Sequence, residues 1–150
     1  MKFIAEKTWR VPNDMRRLME TAAEVGDWLE GFGLAERVSY TAHLAVEEMG
    51  SNIIKYGYEG GEHTIHVSVF VGAEAVRVRL EDDGKPFDPF ARPELDLEAT
   101  LAEDGEGGVG IELIRKVCQR VAYERAGDRN VVEMDLPKQM EGDEEEDGLT

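Results

Sequence analysis

Cysteine is nearly absent from this 150-residue chain: Cys118 stands alone, so no disulfide can form within it. The first residues, MKFIAEKTWR, lack the apolar core of a secretory signal, and a reducing cytoplasm is the expected compartment. Long apolar runs are missing too. The longest pieces, such as HLAV and RVRL, fall far short of the ~18 residues a membrane span needs. Basic residues are scarce, with 17 Lys and Arg against 33 Asp and Glu, a net charge of −16. That balance excludes a binder of nucleic-acid backbones, whose affinity comes from cations displacing counterions, and disfavours an anionic membrane surface. The length suits one domain with a core that needs no metal or disulfide staple. Acidity is concentrated at the end, where residues 138–150 (KQMEGDEEEDGLT) hold one lysine against six carboxylates. The expected organisation is therefore a domain over 1–137 and an acidic, disordered tail over 138–150.

Apolar spacing organises the rest. Met15, Leu18, Ala22, Val25 and Leu29 recur at steps of three and four, predicting a helix after Pro12 with Asn13 as its N-cap. Val38, Ala42, Ala45, Met49, Ile53 and Tyr56 predict a second helix, stopped at Gly57. HTIHVSVFV and AVRVRLED alternate apolar and polar residues around Gly72-Ala73-Glu74, which predicts a hairpin. A proline- and glycine-punctuated stretch runs from Asp83 to Gly110, too long for a simple connection. Ile111, Ile114 and Val117 then mark a third helix, followed by a hairpin of QRVAYER and NVVEMDL. The order β-α-α-β-β-loop-α-β-β implies an α+β two-layer sandwich with helices on one face of a sheet.

Three clusters carry chemistry. With Met49 at zero and about 100° per residue, Asn52, Glu48 and Lys55 fall near −60°, −100° and −120°, the rim of the second helix's apolar stripe. Amide and carboxylate oxygens there suit Mg²⁺, a hard cation; a solvated edge with a Glu-Lys pair is the alternative. Asp82 continues the inward row of Val76, Val78 and Leu80, so it needs donors, and a purine's exocyclic amine is one. Gly84 beside it would let the backbone approach a planar ring; alternatively Asp82 caps a turn. The glycines of GEGGVG open the third helix, whose N-terminal amides form an anion site. That string matches G-x-G-x-x-G, but no buried strand precedes it, so the dinucleotide-fold reading lacks its context, and no P-loop string exists.

EMGSN on a helix, DDGKPFDP after a strand and GGVG before a helix together resemble the N, G1 and G2 boxes of the GHKL (Bergerat-fold) ATP-binding superfamily. The compact chain, the FDP after Asp82 and the ending AYERAGDRNVVEM look most like the RsbW-type anti-sigma-factor serine/threonine kinases. The resemblance implies a Bergerat-type sandwich with a mixed sheet, helices on one face and an ATP lid. It implies ATP or ADP with Mg²⁺ as cofactors, Glu48 acting on the attacking hydroxyl, and Asn52 ligating the metal. Asp82 would accept from adenine, Gly84 would border the base, Lys55 would approach a phosphate, and Gly108, Val109 and Gly110 would line the phosphates. Implied partners are a STAS-type anti-sigma-factor antagonist, a sigma factor and a second copy of the chain.

One departure stands out: the lid from Pro93 to Gly110 contains no Lys or Arg, where many relatives place one. Arg92 and Lys85 are the nearest substitutes. The competing function is a non-catalytic module of the same fold whose nucleotide state selects its partner. A histidine-kinase catalytic half is disfavoured because His43, His63 and His66 sit on no separate dimerisation helix.

Overall fold

The computed structural model describes residues 2–91 and 109–138. The chain order is β1 (Phe3–Pro12), α1 (Met15–Glu30), α2 (Glu36–Asn52) running into a π-helical turn (Ile53–Gly57), β2 (Thr64–Gly72), β3 (Ala75–Asp82), α3 (Val109–Val117), β4 (Arg120–Ala126) and β5 (Arg129–Pro137). The expected tail and most of the expected lid lie outside the described residues.

Both long helices bury the stripes their spacing predicts: Leu18, Ala22, Val25 and Leu29 of α1 and Val38, Ala42 and Ala45 of α2 are all fully buried. The two pack closely at Gly50, where an added methyl group would lie 2.7 Å from Leu18 Cδ2. Two expectations are corrected here. The N-cap of α1 is Asp14, not Asn13: Asp14 has extended backbone and its carboxylate accepts from Arg16 N at 2.9 Å. Asn13 N instead donates to His63 O, which keeps that residue tied to the strand. Tyr56 leaves the buried stripe and is 56% exposed, because the π-helical turn is wider and rotates each residue less than an α-turn.

The sheet order is β1-β2-β3-β5-β4. Every neighbouring pair is antiparallel, which corrects the expected mixed sheet. The helix crossover from β3 through α3 does bring β4 back parallel to β3, but β5 folds in between and pairs with both. One face carries Ile65, Val67, Val69, Val71, Val76, Val78 and Leu80, all fully buried beneath the helices, each burial worth roughly 1.5–3 kcal/mol. The other face is polar. There Arg77 forks onto Asp135 at 2.8 and 3.1 Å, Arg79 reaches Glu133 at 2.6 Å, and Arg120 reaches Glu133 at 2.7 Å and Asp135 at 3.3 Å.

Candidate functional site

Asp82 ends the inward row of β3, as the strand alternation predicts, and is 1% exposed. Its Oδ2 accepts from Gly84 N at 2.8 Å and from Asn130 Nδ2 at 3.3 Å. Burial pushes the carboxyl above its ordinary 3.8, and the Gly84 and Asn130 hydrogen bonds oppose that rise. Asp82 therefore caps the turn while facing inward. Gly84 approaches backbone: a methyl group there would lie 2.6 Å from Gly57 O, and Lys85 N donates to the same carbonyl at 2.9 Å.

Strand register builds the rest of this end. Asp82 lies opposite Asn130, and Asn130 opposite Arg125, so three polar residues cross β3, β5 and β4 in one row. Asn130, 3% exposed, donates from Nδ2 to Lys85 O at 2.7 Å; its Oδ1 accepts from Tyr123 OH at 2.5 Å, Arg125 Nη1 at 3.2 Å and Phe87 N at 3.3 Å. Arg125 Nη1 also donates to Gly84 O at 2.7 Å. The loop 84–87 is thereby pinned to the sheet at several points. The motifs did not single out Asn130, although it holds the inward parity of Val132, Met134 and Leu136 and so signalled a buried amide.

Across a small void of about 10 Å³ from Asp82 and Asn130 stand Met49, Asn52 and Ile53. Among the described residues the buried Asn52 Nδ2 has no hydrogen-bond partner, and neither has Tyr58 OH, whose phenol is pushed upward by burial and by Asp82 and Asp83. Orphaned buried polar atoms are uncommon, and an amide aimed at a void is open to a ligand oxygen or a cation once its orientation is chosen. One turn earlier Glu48 packs on the first turn of α3, where a methyl group at Gly110 would come within 2.5 Å of its Cγ and Oε1. Burial, then the Glu47 charge, raises the Glu48 carboxyl above 4.5, while Lys55 draws it down. Lys55 itself is exposed at the rim.

The structure thus gathers Asp82 and Asn52 around one void, ties Gly84 to the Asp82 carboxylate and sets Glu48 against Gly110. Val109 supplies backbone at the start of α3, and Gly108 lies outside the described residues. A family model described as a histidine kinase-like ATPase domain matches residues 11–136. The chain belongs to the histidine kinase-like ATPase family. The match takes in α2, β3, α3 and β5, the elements that form the void and its neighbourhood, and membership makes this a kinase-like ATP-binding domain. One curated relative is the serine/threonine-protein kinase BtrW of Bordetella bronchiseptica, 27% identical over 110 residues that cover 70% of this chain and 78% of that protein. No helix among the described residues is long and apolar enough to cross a membrane.

The donors present fit the ligand that family binds. Asp82 offers acceptor oxygen in a buried setting, and Asn52 offers an amide whose Nδ2 has no partner among the described residues. Among the described residues no group of three His, Cys, Asp or Glu could hold a metal by itself. A cation here would depend on Asn52 together with ligand oxygens and water, the usual arrangement for Mg²⁺.

Proposed function

We propose that this protein is a cytoplasmic ATP-dependent serine/threonine protein kinase that phosphorylates an anti-sigma-factor antagonist of the STAS type and otherwise holds a sigma factor, alone or as a homodimer. The observation that carries this reading is the placement of Glu48 and Asn52 one turn apart on α2, between the void under Asp82 and the first turn of α3. Asp82 accepts from the adenine amine, with Asn130 and Gly84 fixing its carboxylate. Asn52 turns its amide oxygen to Mg²⁺, which when bound with ATP neutralises phosphate charge. The amides at Gly108, Val109 and Gly110 take the phosphates, and Lys55 approaches from the rim.

Glu48 accepts the proton of the partner's Ser or Thr hydroxyl as its oxygen forms a bond to the γ-phosphorus; the bond from that phosphorus to the ADP oxygen breaks and ADP leaves. The raised affinity of Glu48 for protons suits this role, since a base works best when its pKa moves toward the operating pH. The name of the Bordetella relative supports the substrate class. A single-turnover assay with labelled ATP and the cognate antagonist tests the proposal: phosphoserine or phosphothreonine on the antagonist is expected.

The absence of Lys and Arg from residues 93–110 favours a second reading, a nucleotide-gated binding module without transfer. Nucleotide-dependent antagonist binding with no phosphate transferred would select it.

A further inference from the structure

Away from the void lies a groove of about 1,070 Å³ between the C-terminal part of α1, the N-terminal part of α2, the end of α3 and the end of β5. Its walls include Ala23, Tyr40, Val117 and Pro137, and Tyr40 is 71% and Val117 37% exposed. This is a large opening with exposed apolar surface, of the kind that marks a binding site.

Its electrostatics select the occupant. Asp27, Glu30 and Glu36 line the groove, against Arg37 and Lys116. Two helices, α1 and α3, point their C-termini at it, each adding partial negative charge; the one N-terminus there, that of α2, carries Glu36 in its first turn. An acidic segment would be repelled here.

We propose that this groove receives a basic amphipathic helix of a protein partner, its apolar residues on Ala23, Val117 and Pro137 and its Lys or Arg residues toward Asp27, Glu30 and Glu36. An amphipathic helix laid in a groove anchors through residues spaced i, i+3, i+4 and i+7. The site stands on its own observations and does not depend on the proposed reaction. Because α2 runs about 25 Å from Glu36 at the groove to Asn52 at the void, the occupant and a nucleotide bind at opposite ends of one helix.

The test uses the full chain and two synthetic 16-residue helical peptides with leucines at i, i+3, i+4 and i+7, one filled out with lysine and the other with glutamate. Calorimetry and amide chemical shifts are the readouts. The Leu/Lys peptide is expected to bind with salt-sensitive affinity and to shift amides of α1's C-terminal turns and α2's first turns, and the Leu/Glu peptide to bind at least tenfold more weakly. Ala23→Trp, at an exposed position, fills the groove and is expected to weaken binding tenfold or more. Glu30→Lys, also exposed, is expected to weaken it about threefold to fivefold, and it decides the matter if the tryptophan variant does not fold. Asp82→Ala should leave peptide affinity unchanged, which separates this site from the nucleotide site. Wild-type affinity in both groove variants, equal binding of the two peptides, or shifts confined to other surfaces would overturn the proposal.

Discussion

The two faces of the sheet hold carboxylates in opposite electrostatic states. On the open face Glu133 is well covered, and burial by itself would raise its pKa, but hydrogen bonds from Arg120 and Arg79 together with the Arg79 and Arg77 charges hold it below 4.5. On the helix face Asp82 is also buried, yet its donors are neutral, and its carboxyl rises. Glu48 rises as well. A carboxylate saturated by guanidinium groups has nothing left to offer a ligand, whereas one desolvated with few cations retains unspent capacity. That contrast separates scaffold from site more sharply than burial does.

Exchanging the chemistry of each carboxylate sharpens the comparison. The largest effect is expected from Glu48→Gln, which keeps size and removes the base: phosphorylation of the cognate antagonist should fall about 10²-fold or more, with ATP binding within a few-fold of wild type. An undiminished rate would take Glu48 out of the chemistry. Asp82→Ala should lose discrimination of ATP from GTP and weaken ATP by roughly 1–3 kcal/mol, as read by calorimetry. Were affinity and selectivity both unchanged, the helix face would be no more functional than the open one.

Asn130→Ala probes the support rather than the contact. It leaves Lys85 O and Phe87 N without their partner, and thermal or urea unfolding should report a loss of about 1–3 kcal/mol together with weaker ATP binding. Asn52→Ala is expected to weaken ATP several-fold in Mg²⁺ and much less when the metal is chelated. An equal loss in both conditions would assign Asn52 to the helix alone.

The smallest effect belongs to the open face. A folded-state pKa held below the unfolded one means that the unfolded chain binds more protons in acid. The contribution of Glu133 is therefore present above its unfolded value of about 4.5 and is lost as pH falls through the lower folded value. Glu133→Gln should cost about 1 kcal/mol near neutral pH and flatten the acid limb of stability, with ATP affinity untouched. Urea titrations across that range check it, and a change in nucleotide affinity would break the division between the faces.

Much of the frame was legible because it is local. The three- and four-residue spacing of Leu18, Ala22, Val25 and Leu29, and the alternation of Val67, Val69, Val76 and Val78, report on neighbours a turn or a residue away. Asp82's inward direction followed from the same alternation. The N-cap was misplaced by one residue, since Asn13 and Asp14 both have capping side chains and only the path of the backbone, held to His63 O through Asn13 N and extended at Asp14, brings the Asp14 carboxylate to Arg16 N.

The sequence by itself determined the helices, both hairpins, the excess of negative charge and the three motifs, because each depends on residues close together in the chain. Tertiary structure alone decided that β5 lies between β3 and β4, and therefore that Asn130 meets Asp82 across 48 positions of sequence. It also decided that Glu48 lies on Gly110, that Asn52 Nδ2 has no partner among the described residues beside a void, and that the groove opens at the far end of α2. Such contacts join elements whose order in the sheet no local periodicity encodes. They form when the buried faces of α1, α2, α3 and the sheet are brought together and the polar groups among them take the partners within reach.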